Sequence, residues 1–234
     1  MNGLINTETI KSLYLKHRKC LVNKNGNICE IVEASKMTLG FDKAEKCVEF
    51  SDIRMGQNVM NIFSGAGGIL RLLSIRHNVK LLIGLDILYN GLLPSKTDWF
   101  YAVDETFYDW KRDVEQIGLS FKWPLFFQSD TREIVEGFCN TMDRIIIDPP
   151  YGLVSNTVLG FTEIEAKNTY LASLVTSLNY LVRGGKVSAI IPASWLTDTQ
   201  SVTSLMEFGT IIEDVWEIKG RKYEFAIVRV RKEI

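Results

Sequence analysis

The stretch from residue 58 to 86 constrains the fold of this chain most. It holds a short apolar run (59–63), a glycine-rich turn (Ser64-Gly65-Ala66-Gly67-Gly68), a segment with helical spacing (69–76) and a second apolar run (80–85) that ends at Asp86. Strand, helix and strand in that order form a βαβ unit, and such units build a parallel sheet. Residues 125–127, 144–147 and 187–191 are further short, continuous apolar runs, the pattern of strands buried on both faces. Residues 163–181 have helical spacing, with a stop predicted at Arg183-Gly184-Gly185. Residues 211–218, the turn Lys219-Gly220-Arg221-Lys222 and residues 225–230 predict a closing antiparallel hairpin. The expected class is therefore α/β, with a mostly parallel sheet.

Two regions flank or interrupt this pattern. Residues 1–57 are expected to form an amino-terminal extension, with a helix over 9–18 opened by Thr7 and an irregular stretch around 23–27. The main domain is expected over 58–234, with an insertion at about 88–124 that is rich in aromatic residues. In that insertion Val103, Phe107, Trp110, Val114 and Ile117 recur at the spacing of one helix face, which predicts core packing. Trp99 and Tyr101 fall outside that face and remain candidates for stacking on bases.

Composition narrows the class. At 234 residues, 46% hydrophobic and 24% charged, the chain can bury a sizeable core. No apolar run approaches the roughly 18 to 20 residues that span a bilayer, and Met1-Asn2-Gly3 lacks a signal-peptide layout, so a cytoplasmic protein is expected. Cys20, Cys29, Cys47 and Cys139 form no Cys-x-x-Cys pair, and neither His17 nor His77 lies at zinc-ligand spacing, so no metal is expected. A net charge of −1 means that any nucleic-acid contact needs a local basic surface.

Three features point to chemistry. The turn at 64–68 follows a predicted strand and opens a predicted helix, where glycines let a ligand lie against main chain beside the positive helix end. Asp86, about twenty positions on, stands where a carboxylate can grip ribose hydroxyls, or where it can cap a following helix. Asp130, after the next strand, has the same two readings, an adenine contact or a cap. Most specific is Asp148-Pro149-Pro150-Tyr151-Gly152, directly after the apolar run 144–147. Two prolines there remove backbone donors and hold an extended turn at the sheet edge where open α/β folds bind ligands.

On these residues the chain resembles the amino-group methyltransferases of the class I, Rossmann-like superfamily, which use S-adenosylmethionine and carry Asp/Asn-Pro-Pro-Tyr/Phe. The likeness runs from about residue 58 to the end and includes the closing hairpin. It implies a cofactor site at Asn61, Phe63, Gly65, Gly67, Asp86 and Asp130, with Asp86 on the ribose. Asn61 departs from the pattern, because many relatives carry an acid there, and no target-recognition domain fits around the core. The resemblance also implies that a base is swung into a pocket at Asp148. The Asp148 carboxylate and Pro149 carbonyl would accept hydrogens from its amine, Pro150 would stiffen the turn and Tyr151 would stack on the ring.

Among substrates, the amino group of adenine in DNA is expected first, with cytosine behind it. The alternative is the guanine amino group in transfer or ribosomal RNA, since Gly152 after the tetrad resembles some archaeal-type transfer RNA enzymes. A second alternative is a silent subunit that binds cofactor or a partner enzyme. Cytosine carbon-5 transfer needs a Pro-Cys nucleophile, and no proline here precedes a cysteine. Protein-glutamine enzymes usually begin the tetrad with Asn. Lys219, Arg221 and Lys222 are the candidate phosphate contacts, and a partner subunit could supply target recognition.

Overall fold

A computed structural model describes residues 6–17, 19–24, 27–33, 39–76, 78–86, 99–130, 134–149, 169–218 and 225–234. Helix α1 (Thr7–Lys16) is capped by Asn6, whose side chain accepts the Glu8 amide at 3.1 Å. The residue before Thr7 thus does the capping expected of Thr7. Strands β1 (Lys19–Lys24) and β2 (Asn27–Glu33) then pair antiparallel, so the stretch expected to be irregular is largely strand. Polar composition hid it, because Asn and Lys disfavour strands except where pairing holds them. Helix α2 (Phe41–Phe50) buries Phe41, Ala44, Cys47 and Val48 on one face.

The βαβ unit follows as β3 (Asn58–Ile62), α3 (Gly68–Arg76) and β4 (Leu81–Asp86). In the insertion, β5 (Trp99–Ala102) pairs with β1 and makes a three-stranded sheet of order β2-β1-β5. Helix α4 (Val103–Gln116) comes next, with Phe107, Trp110 and Val114 fully buried and Ile117 half-buried. The side chains of Val103, Trp99 and Tyr101 lie outside the described residues.

Strand β6 (Leu125–Gln128) was expected to be buried on both faces, yet Leu125 is 46% and Phe127 37% exposed. It is the edge strand of the main sheet, where one side lacks a neighbour. Beyond β7 (Met142–Ile147), helix α5 (Thr169–Tyr180) passes directly into β8 (Leu181–Pro192). The helix stop expected at residues 183–185 is therefore misplaced. Gly184, at φ +76°, and Gly185 instead form an irregularity in β8, where pairing with β7 shifts register between Met142 and Arg144. A Cβ on Gly185 would meet the Val182 carbonyl at 2.8 Å, so the backbone there needs glycine. Helix α6 (Thr199–Glu207), β9 (Thr210–Ile218) and β10 (Phe225–Lys232) complete the chain.

The main sheet has seven strands in the order β6-β4-β3-β7-β8-β10-β9. β6, β4, β3, β7 and β8 pair parallel, and β10 runs antiparallel to both of its neighbours. This is the mostly parallel, Rossmann-like α/β arrangement expected from the sequence, with its antiparallel pair at one end. Alternate strand residues feed two cores. Met60, Ile62, Leu85, Ile145, Ile147 and Val187 pack with α5, while Val59, Leu82, Ile146, Ile190 and Ile227 pack with α1 to α4. Among the described residues, no helix is long and apolar enough to cross a membrane.

Candidate active site

From β3 the chain proceeds to β4 and then to β6 on one side, whereas β7 leads to β8 on the other. The sheet therefore switches direction between β3 and β7, and the crevice outside the carboxyl ends of these strands is where such sheets bind ligands. The residues expected to form the site leave four adjacent strands at that edge: Asn61, Phe63, Gly65 and Gly67 from β3, Asp86 from β4, Asp130 from β6, and Asp148 and Pro149 from β7. Pro150, Tyr151, Lys219, Arg221 and Lys222 lie outside the described residues.

The glycine turn is tied down atom by atom. Phe63 takes φ +57°, a left-handed conformation that costs a bulky residue energy and that recurs at ligand sites. Ser64 then gives both its amide and its hydroxyl to the Leu85 carbonyl, at 3.2 and 3.1 Å. The Gly65 amide, at φ +51°, donates to Asp86 Oδ2 at 2.8 Å. The Gly67 amide closes the turn on the Ser64 carbonyl at 2.8 Å, and α3 begins. Asp86 is buried, and its own carbonyl accepts the Ser129 amide at 3.2 Å, which brings the end of β6 and half-buried Asp130 alongside.

Gly67 has a steric reason to be glycine beside the one its motif suggests. At φ +78°, a Cβ there would stand 2.7 Å from Phe107 Cε2. The glycine makes room for a core ring of α4.

Arg71 also escaped sequence reasoning. It is 1% exposed, gives Nη1 to the Ala66 carbonyl at 2.6 Å and Nη2 to Thr106 Oγ1 at 2.8 Å, and lays its guanidinium over Phe107 at 4.7 Å. It thereby clamps the glycine turn to α4. A lone arginine on an apolar helix carries no motif; its burial alone reveals the role.

Asn61 is completely buried. Its Nδ2 donates to the carbonyls of Ile62 and Ile146, at 3.3 and 3.1 Å, and its Oδ1 accepts from none of the described residues. Buried acceptors are nearly always satisfied, so this oxygen suits a donor brought by a ligand. Asp148 is half-buried and Pro149 buried. Complete burial, with the Asp148 charge adding to it, pushes the thiol of Cys47 on α2 well above its ordinary range, leaving it protonated and inert. An orphan amide oxygen, a glycine turn and a buried carboxylate one strand away fit a ligand with an ammonium end and ribose hydroxyls.

No family model matches the sequence, and no curated protein matches it either. Solved structures do. TrmN from Thermus thermophilus superposes with a TM-score of 0.54 at 19% identity, over 83% of this chain and 49% of that chain. TYW2 from M. jannaschii, solved with AdoMet, gives 0.55 at 13% identity, over 87% of this chain and 82% of that one. The N-methyltransferase NodS from Bradyrhizobium japonicum WM9, solved with S-adenosyl-L-homocysteine, gives 0.53 at 11% identity, over 85% and 90%. The chain spans about half the length of the TrmN chain it matches. At these identities the likeness establishes the fold alone, one that the AdoMet-bound TYW2 and the N-methyltransferase NodS share.

Proposed function

We propose that this protein is an S-adenosylmethionine-dependent methyltransferase acting on an exocyclic amino group of a nucleic-acid base, with adenine in DNA as its leading substrate. The observation that carries the reading is the placement of Asp148-Pro149: they leave β7 at the switch point, beside the strand that carries the glycine turn. Asn61, Phe63, Gly65, Gly67, Asp86 and Asp130 would hold the cofactor, which supplies an activated methyl group on a sulfonium. Asn61 Oδ1 suits its ammonium, and Asp86 suits its ribose.

The chain's own task is to aim the amine. A base amine is a weak nucleophile, because its lone pair is delocalised into the ring. Hydrogen bonds to the Asp148 carboxylate and the Pro149 carbonyl localise that pair and hold it in line, and alignment of this kind supplies much of the rate in group transfer. Tyr151 stacks on the flipped ring, and Asp148 can take the proton afterwards. Lys219, Arg221 and Lys222 contact phosphates, and a partner subunit supplies target recognition.

Gly152 favours a second reading, guanine amino methylation in RNA, and the same residues serve it. Intact Asp148 and Tyr151 argue against a silent subunit. Mass spectrometry of nucleosides after incubating the protein and cofactor with DNA or with RNA tests the proposal. A methylated amino nucleoside from one polymer supports it. Tight cofactor binding without transfer to either would replace it with the silent-subunit reading.

A further inference from the structure

Asn61 occupies the switch point itself. On β3 it lies in register between Gly84 of β4, which brings no side chain to that face, and Ile146 of β7. Its amide leans toward β7, where Nδ2 lies between the carbonyls of Ile62 and Ile146. Ile146 is two residues before Asp148. The β3–β7 ladder ends one pair further on, at Ile62 and Ile147, so this side chain adds a tie between the two strands next to the ladder's end and just before the tetrad.

We infer that Asn61 is a positioning residue for Asp148: its carboxamide pins the carboxyl end of β7 to β3 and so fixes the exit angle of the Asp148-Pro149 turn. Only a donor fits the place taken by Nδ2. An aspartate has no hydrogen to offer when ionised, and it would set an oxygen against two carbonyl oxygens. Burial sharpens the difference, because the two carbonyls have no water to turn to in its stead. The amide divides its work, with nitrogen holding the strand and oxygen left for a ligand.

The catalytic consequence rests on the amino-methyltransferase reading, but the pinning does not. The test is Asn61→Asp, which keeps an oxygen for the cofactor and removes the donor to Ile146. Hydrogen exchange of the peptide spanning residues 144–149 should quicken by about tenfold, the scale of one buried hydrogen bond lost. Calorimetric affinity for S-adenosylmethionine should hold or tighten, while the transfer rate at saturating cofactor falls by about tenfold or more. Restoring the acid that similar enzymes carry should thus weaken this one. Asn61→Leu, which removes donor and acceptor together, should quicken the same exchange and also loosen cofactor binding, and it carries the exchange arm if Asn61→Asp does not fold. Exchange at 144–149 unchanged from wild type would overturn the inference, as would an Asn61→Asp protein that transfers methyl as fast as wild type. If the wild-type protein methylates neither DNA nor RNA, the functional reading fails and the exchange arm still decides the pinning.

Discussion

Replacing Gly67 by alanine should destabilise the protein through its core. Two costs add. Holding a residue with a Cβ at φ +78° costs about 1 kcal/mol relative to glycine. The new carbon would also stand 2.7 Å from Phe107 Cε2 and 3.1 Å from Cζ, and the ring is fully buried against Phe126 and Arg71, so it has little room to retreat. Overpacking of that kind costs about 1 to 3 kcal/mol, for a total of about 2 to 4. In a chain of this size each kcal/mol lowers Tm by about 2 to 4 °C, so a central loss of about 3 kcal/mol lowers it by about 6 to 12 °C. The assay is thermal unfolding of four proteins: wild type, Gly67→Ala, Phe107→Leu and the double variant. Removing the ring should relieve the clash, so the double variant should be more stable than the sum of the singles predicts by about 1 to 3 kcal/mol. Strict additivity, or a Gly67→Ala protein with wild-type Tm, would refute the steric argument.

Two other outcomes follow from the contacts of Asp86 and Asp113. Asp86→Ala strips the acceptor from the Gly65 amide and removes the proposed ribose ligand, so calorimetry should show cofactor affinity weakened by about tenfold or more, with Asp86→Asn intermediate; an unchanged affinity would contradict the assignment. Asp113 is bonded by Lys16 at 2.5 Å and His17 at 2.8 Å, and these hold its carboxyl at about 2, below the usual 3.8. A depressed carboxyl stabilises the fold above its unfolded pKa and loses that contribution as pH falls through the folded value. The Tm gap between wild type and Asp113→Asn should therefore be widest above about pH 4 and close toward about pH 2. A gap independent of pH would refute this role.

The parts legible in the sequence were those governed by local periodicity and punctuation. Short, largely apolar runs at 59–63, 80–85 and 144–147 marked the central strands, the pattern of strands buried on both faces. The spacing of Phe107, Trp110 and Val114 gave the buried face of α4. Tertiary context decided the rest. β6 has an apolar composition but an edge position, and β1 is held between β2 and β5, whose paired residues lie about 75 to 81 positions further along the chain. α2 was not read from the sequence at all, although its buried positions repeat at three and four. In the site, the order of strands brought Asp86, Asp130 and Asp148 to one edge, which their spacing alone could not do. The reason for Gly67, the clamp by Arg71 and the tie from Asn61 depend on neighbours distant in sequence, so no motif records them.

The most direct test of the account is the yield of methylated amino nucleoside from wild type and from Asp148→Ala, on DNA and on RNA, with cofactor affinity measured in parallel. An acceptor used chiefly in the transition state contributes to rate and not to cofactor binding. Asp148→Ala should therefore lower the transfer rate by about 100-fold or more while cofactor affinity stays within about threefold of wild type. Transfer by Asp148→Ala at the wild-type rate would contradict the account.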